Sequence, residues 1–182
     1  MSSTLQRVRF TASDYTRMAS ILAGRRTELI DGEIIEMAPI GTAHLVVVDR
    51  LERHLARLKA EGQLQSGQPV RIWDYDEPQP DLALLKPRAD DYSTVKATPA
   101  EILLLVEVAD RTLRTDLGRK ARIYATGGVV EYWVVDVNNR VLYVHRAPEA
   151  GRYASRQVLG RTDRISALFA SEVEFEVAEL IV

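Results

Sequence analysis

The strongest constraint on the fold is a short apolar run in the middle of the chain. Residues 102–108 read ILLLVEV and carry a single charge, Glu107. A run of this length, bounded by polar residues, is typical of a central strand that is buried on both faces. An unpaired carboxylate is strongly disfavoured inside such a strand. The sequence therefore predicts that another group compensates the charge of Glu107.

The segment that follows places a second charge in a core-facing position. Residues 113–126 predict a helix that ends at Gly127-Gly128. At about 100° per residue, one stripe of this helix contains Leu113, Leu117, Lys120 and Tyr124. Lys120 therefore stands where an apolar side chain is expected. Glu107 and Lys120 together are the main indication of function in the sequence.

Composition limits the classes of protein that the chain can belong to. It has 182 residues, enough for one domain with a proper core, and it is 46% hydrophobic and 27% charged, as soluble globular proteins are. The 24 basic and 26 acidic side chains give a net charge of −2. This balance argues against a protein with the overall basic surface that permanent nucleic-acid binding needs, although a local basic groove is still compatible with it. The absence of cysteine excludes disulfides and thiolate metal sites.

No part of the sequence indicates a membrane protein. No run approaches the roughly 18 apolar residues that a membrane span needs. The first ten residues, MSSTLQRVRF, lack the apolar core of a signal peptide. We therefore expect a cytoplasmic protein with no membrane partner.

The remaining pattern predicts an α/β domain with a mixed central β-sheet flanked by helices. Helices are predicted over residues 11–23, 44–60 and 113–126, and the core stripe of the second contains Leu45, Val48, Leu51, Leu55 and Leu58. Asp31-Gly32 is a strong hairpin signal within residues 27–37. Further strands are predicted over residues 63–73 (broken near Gly67 and Pro69), 81–85, 102–108, 130–137, 140–146, 152–159 and 171–177. With no repeat or linker visible, residues 1–182 are predicted to form one domain.

Three charged residues on neighbouring predicted elements suggest one kind of chemistry. Asp81 opens a short strand, Glu107 lies near the end of the central strand, and Lys120 lies on the next helix. Two carboxylates can hold a hard cation such as Mg²⁺, which polarises a phosphoryl group and lowers the pKa of a bound water. A lysine can position that water or stabilise charge on the phosphate. The set fits metal-dependent phosphodiester hydrolysis.

At these residues the chain resembles a known family. The blocks that carry the resemblance are ELIDGE at 28–33, PDLALL at 80–85, VEV at 106–108, Lys120 with Tyr124, and GVVEYWVVD at 128–136. In this order they resemble the bacterial restriction-endonuclease-like proteins of the PD-(D/E)XK nuclease superfamily, over about residues 27–153. The resemblance implies a restriction-endonuclease-like core, dependence on Mg²⁺ with Mn²⁺ as an alternative, and DNA as the substrate.

The resemblance also implies roles for individual residues. Asp81 and Glu107 match the metal ligands, with the main-chain carbonyl of Val108 as a third. Ala109 stands where the superfamily has its lysine, and Lys120 from the next helix matches the replacement used in this branch. The accessory candidates are Glu28, His44 and Tyr124. The function implied is that of a metal-dependent endodeoxyribonuclease, and two sites related by a two-fold axis in a homodimer would suit the cutting of both strands.

Each of these residues also has a plainer interpretation. Glu107 can pair with Arg111 or Arg114, and Asp81 can be an ordinary turn residue. Lys120 can extend its amine to water along an apolar surface, while His44 can cap its helix and Tyr124 can pack in the core. Arg111, Arg114, Arg119 and Arg122 can form a solvated face or contact phosphates. The corresponding alternatives in function are a nucleic-acid-binding protein without cleavage and a partner-binding protein with a buried ion pair.

Overall fold

A six-stranded mixed sheet lies at the centre of the computed structural model, which describes residues 8–58 and 62–181. Its strand order is β3-β4-β5-β6-β7-β8. β5 and β6 run parallel, and the other neighbouring pairs run antiparallel. The strands are Gln63–Ser66 (β3), Leu82–Leu85 (β4), Ile102–Ala109 (β5), Glu131–Asp136 (β6), Val141–Glu149 (β7) and Arg152–Leu159 (β8). The predicted α/β class with a mixed central sheet is confirmed.

Alternation along β5 divides the core into two apolar clusters, because successive side chains point to opposite faces of a sheet. Leu104, Val106 and Val108 belong to the cluster that includes residues of α2 (Thr42–Leu55) and α5 (Val177–Leu180). Leu105 and Ala109 belong to the cluster on the opposite face. Glu107 shares the alternation of Leu105 and Ala109, so it points into the second layer.

The second layer contains the helix predicted after β5. It spans residues 113–127 as α3 (Leu113–Thr115), a π-helical segment (Asp116–Lys120) and α4 (Ala121–Gly127). Gly128 ends it with a φ of 82° in the left-handed region, where glycine is not penalised. We call residues 113–127 the central helix. Its π-helical part is notable because such segments often occur at functional sites.

Smaller elements complete the described chain. α1 (Ala12–Arg17) begins with a capping box at Thr11. The hairpin of β1 (Thr27–Ile30) and β2 (Glu33–Glu36) turns at Asp31 and Gly32, which both have positive φ, as predicted. A 3₁₀ turn (Ala56–Leu58) follows α2, and another (Leu168–Ala170) lies between β9 (Arg164–Ser166) and β10 (Glu174–Glu176).

Several predicted details are wrong. The first helix ends at Arg17 rather than residue 23. The strand after Gly62 stops at Ser66, at the break expected near Gly67 and Pro69, and it does not resume before residue 73. The tail strand shortens to β10 and pairs with β9 in a separate ribbon, outside the main sheet. In the turn between β6 and β7, the residue with positive φ is Arg140.

At the start of α2, the residues predicted to face the core are not the ones that do. Leu45 is 52% exposed, Val48 is partly buried, and Val47 takes the inward position together with Leu51 and Leu55. Both phases fit a period of 3.6 residues, and packing against α5 selects the observed one. Residues 59–60, predicted as the end of this helix, lie outside the described residues.

Candidate active site

The register of β4 and β5 brings the two predicted carboxylates together. Leu82 faces Val106 across the antiparallel pair. The same register continued by one residue sets Asp81 opposite Glu107. Asp81 Oδ2 accepts a hydrogen bond from the Val108 N–H at 2.7 Å, which fixes the end of β4 against β5.

Lys120 is the group that compensates Glu107. Its Nζ lies 2.9 Å from Glu107 Oε1, and the Tyr124 hydroxyl donates to the same oxygen at 2.8 Å. Glu107 and Lys120 are each 4% exposed, and Tyr124 is fully buried. The amine of Lys120 therefore does not reach solvent, and among the described residues no arginine forms an ion pair with Glu107.

Glu28 on β1 provides a second carboxylate to the same amine. Its Oε2 lies 3.1 Å from Lys120 Nζ and accepts a hydrogen bond from the Gln79 N–H at 3.3 Å. Burial disfavours the charged form of Lys120, but Glu107 and then Glu28 outweigh it and raise the lysine pKa above its ordinary value. Lys120 is therefore a permanent ammonium held between two acids.

His44 lies in the first turn of α2 and contacts the other predicted carboxylate. Its Nε2 lies 2.9 Å from Asp81 Oδ1. Burial lowers the pKa of His44, but the hydrogen bond to Asp81, the charge of Asp81 and the Val108 backbone together raise it above its usual value. Asp81 and His44 side chains are 12% and 15% exposed, so this end of the site is more accessible than the Glu107–Lys120 end.

A further acid of the cluster, Asp116, was not predicted from the sequence. It is 2% exposed and accepts a hydrogen bond from the Thr112 hydroxyl. Burial raises its pKa to about 6, helped by the charges of Asp81 and Glu28 and opposed by Lys120. Residues four apart share one face of a helix, so Asp116 lies on the same face of the central helix as Lys120. That spacing was visible in the sequence, but the burial of Asp116 was not.

The site has more acid than base. Asp81, Glu28 and Asp116 lie close enough for their charges to act on Glu107, and the basic partners among the described residues are Lys120 and His44. Burial raises the pKa of Glu107 well above its ordinary value, the ammonium of Lys120 opposes this, and the three other acids add to it. An additional positive charge in this place would therefore be stabilised.

The donor chemistry suits a hard divalent cation, because carboxylate and carbonyl oxygens are the ligands that Mg²⁺ prefers. Glu107 Oε2 makes no described hydrogen bond, whereas both oxygens of Asp81 are already engaged, by His44 and Val108. Within the described ranges, no group of three or more His, Asp or Glu side chains is arranged to hold a metal ion. A cation would thus bind with an exchange of partners at Asp81.

Two of the four arginines expected on a solvated face instead fasten the β1–β2 hairpin to the central helix. Arg119 bonds Asp31 and Glu33 at 2.8 Å each, and also the Ile30 carbonyl. Arg122 reaches the same Asp31 carboxylate at 2.8 Å. These contacts hold β1, and with it Glu28, next to Lys120.

This sheet and the acid–lysine cluster define a restriction-endonuclease-like α/β protein. The family model described as "Uma2: Putative restriction endonuclease" matches residues 12–178, and the chain belongs to that family. The match extends beyond the 27–153 estimated from sequence blocks. The family places the chain among nuclease-type proteins, for which a nucleic acid is the substrate.

A solved structure has the same fold. It is the crystal structure of "a putative nuclease belonging to DUF820" from Anabaena variabilis, with a TM-score of 0.74 and 15% identity. The alignment covers 94% of this chain and 97% of that one. A search of curated proteins gave no match. In the part of the chain that the structure describes, every helix is too short or too polar to cross a membrane.

Proposed function

We propose that the protein is a metal-dependent endodeoxyribonuclease that hydrolyses phosphodiester bonds. The observation that carries the proposal is the convergence of Asp81, Glu107 and Lys120 from two strands and a helix that are distant in sequence. Family membership supports a nuclease, and the excess of carboxylate supports a site that receives a cation. We propose DNA as the substrate and a cytoplasmic location.

In this proposal the residues that would hold the cation are Asp81, Glu107 and the carbonyl of Val108. Mg²⁺, or Mn²⁺ in its place, would supply charge on a phosphate oxygen and a bound water of lowered pKa. Its charge would also offset the repulsion between Glu107 and the acids around it. The site would attract the cation through its excess of carboxylates over basic groups, and not through a preformed set of ligands.

The remaining residues would orient these groups. Lys120 keeps its proton and can donate to a phosphate oxygen or to the attacking water. Glu28 holds that amine from the other side, and Tyr124 fixes Glu107 through Oε1, which leaves Oε2 available. His44 is a positioning residue that sets the orientation of Asp81. We further propose a homodimer, because two sites related by a two-fold suit the cutting of both strands.

Nicking of supercoiled plasmid DNA tests the proposal. We expect nicking with Mg²⁺ or Mn²⁺ and none with EDTA. Glu107→Gln and Asp81→Asn should abolish nicking, and Lys120→Met should reduce its rate about 100-fold or more, as loss of one electrostatic contact to the transition state does. His44→Ala should cost roughly 10–100-fold, the range for residues that orient metal ligands.

Two control variants separate these effects from general damage. Lys86 and His54 are the matched residues, one exposed and one half-buried, and neither contacts the site. Lys86→Met and His54→Ala should nick at the wild-type rate. Metal-dependent nicking that survives in folded Glu107→Gln and Lys120→Met proteins would refute the assignment. Sedimentation of the protein as a monomer, with and without DNA, would refute the homodimer.

One observation favours a second function, a nucleic-acid-binding protein that does not cleave. Both oxygens of Asp81 already have partners, so a cation must compete for them. Under this alternative, DNA binding would persist in EDTA and in Glu107→Gln. Affinity would fall steeply with salt, with a slope near −0.9 per phosphate contact on duplex DNA. Binding without nicking at any Mg²⁺ or Mn²⁺ concentration would select it.

A further inference from the structure

A second cavity lies beside the central helix, outside the acid–lysine cluster. Its volume is about 320 Å³, and it is lined by the central helix and by β7 and β8. Leu117 and Ala121 give it an apolar wall. This volume is at the lower end of the range for small-molecule sites, roughly 300–1,000 Å³. It therefore has room for more than a simple ion.

The cavity carries a strong positive charge. Its lining contains three arginines, Arg122, Arg152 and Arg156, and no carboxylate. Arg122 is paired with Asp31, at 2.8 Å. In residues 8–58 and 62–181, neither Arg152 nor Arg156 forms an ion pair, and both are exposed. Two guanidinium groups are thus available to a ligand that enters the cavity.

Two buried polar side chains also line the cavity without partners. Both ring nitrogens of His145 and the hydroxyl of Tyr153 lack hydrogen bonds among the described residues, although His145 is 2% and Tyr153 6% exposed. The Tyr132 backbone lies near the imidazole but without hydrogen-bond geometry. Buried polar groups are normally hydrogen-bonded, so three such atoms at one cavity point to a missing partner.

The charge state of His145 determines which hydrogen bonds its ring can make with a ligand. Burial lowers its pKa to about 4, and the guanidinium of Arg156, which lies opposite it across β7 and β8, adds to the shift. At neutral pH the ring is uncharged, with one N–H donor and one acceptor nitrogen. Tyr153 provides a second neutral donor whose ring centroid lies 5.5 Å from that of His145.

We propose that this cavity binds a phosphomonoester, as carried by a mononucleotide or by the end of a DNA strand. Guanidinium groups bind phosphate oxygens in forked pairs, and neutral donors at the floor can satisfy the remaining oxygens. The apolar wall of Leu117 and Ala121 accommodates the organic group attached to the phosphate. Binding here does not depend on cleavage at the acid–lysine cluster.

Isothermal titration calorimetry in EDTA tests the proposal with defined probes. These are deoxyadenosine 5′-monophosphate, deoxyadenosine, inorganic phosphate, and a short blunt duplex with and without 5′-phosphates. We expect the monophosphate to bind at least about tenfold more tightly than the nucleoside, since one charge-assisted contact accounts for such a ratio. Tighter binding of the phosphorylated duplex than of the mononucleotide would assign the source to DNA ends, and the reverse order to a free nucleotide.

Three variants localise the binding. Arg152→Gln combined with Arg156→Gln should weaken the monophosphate at least about tenfold, whereas Arg161→Gln, an exposed arginine elsewhere, should have no effect. Tyr153→Phe should weaken it several-fold without lowering the Tm of the free protein, because the hydroxyl has no partner to lose. Equal affinity for nucleotide and nucleoside, no binding of any phosphorylated probe, or unchanged affinity in the double arginine variant would overturn the proposal.

Discussion

Replacing Lys120 by methionine removes the cation that two buried carboxylates share. Methionine keeps a flexible chain of similar length, so the cavity term is small, and the main effect is electrostatic. Glu107 and Glu28 lose contacts of 2.9 and 3.1 Å and stay almost fully buried. The variant therefore isolates the cost of two uncompensated acids.

The magnitude follows from those distances. A charge pair at about 3 Å gains roughly 5 kcal/mol at an effective dielectric constant near 20, and part of this was offset by the desolvation of the lysine. Breaking a buried pair by removing one partner typically costs about 3–5 kcal/mol. For a chain of this length each kcal/mol corresponds to about 2–4 °C. We expect Lys120→Met to lower the Tm by roughly 10 °C at neutral pH.

Thermal and urea unfolding in EDTA, followed by circular dichroism, measure this loss. Glu107→Gln is the comparison variant, because it leaves Lys120 paired with Glu28 and keeps the acceptor for Tyr124. We expect it to cost no more than about 1 kcal/mol, since relief of acid–acid repulsion offsets the lost pair. The exposed Lys86→Met is the control for charge alone. A free energy of unfolding for Lys120→Met within about 1 kcal/mol of wild type would refute the reasoning, because removing the cation from a buried ion pair is expected to cost more.

Three other substitutions give independent tests. Because the folded pKa of Asp116 is about 6, above its ordinary value of 3.8, its contribution is fully present below pH 4 and is lost as pH rises through 6. Relative to Asp116→Asn, wild-type stability in urea should fall by about 3 kcal/mol between pH 4 and 7, and parallel pH profiles would contradict this. Arg146→Leu leaves the fully buried Glu131 without its cation and should lower the free energy of unfolding in urea by about 3–5 kcal/mol. A loss smaller than the loss on replacing an exposed arginine would contradict this. Gly128→Ala, at a φ of 82°, should lower stability by about 1–2 kcal/mol, and an unchanged Tm would argue against the left-handed conformation.

The central strand and its helix could be predicted because their signals are local. The apolar run of β5 is typical of a buried central strand. A charge inside such a strand must be compensated nearby, and this requirement singled out Glu107 and Lys120. Asp81 was indicated by the family resemblance together with its place at the start of a predicted strand, and the sheet register sets it opposite Glu107.

Other features could not be predicted because they depend on tertiary packing. The phase of α2 is ambiguous in sequence, and contact with α5 selects Val47 over Leu45. The role of Asp116 depends on its burial beside Lys120 under the rest of the fold, which the helical spacing alone does not show. The unpartnered atoms of His145 are defined by β7, β8 and the central helix together, so no pattern in one segment indicates them.

A comparison within the molecule separates a structural ion pair from the candidate active site. Glu131 is fully buried, and its two oxygens accept hydrogen bonds from Trp133, Arg146 and the Leu168 N–H. One acid is therefore matched by one cation, and both of its oxygens have partners within the protein. Such a balanced, closed arrangement needs no ligand. The cluster around Lys120 is different, because four acids share one ammonium and one histidine, and Glu107 Oε2 has no described partner. A protein that needed only stability would gain from an apolar replacement there. The persistence of an unbalanced buried charge is therefore the physical reason for expecting that this place, and not Glu131, receives a cation and a phosphate.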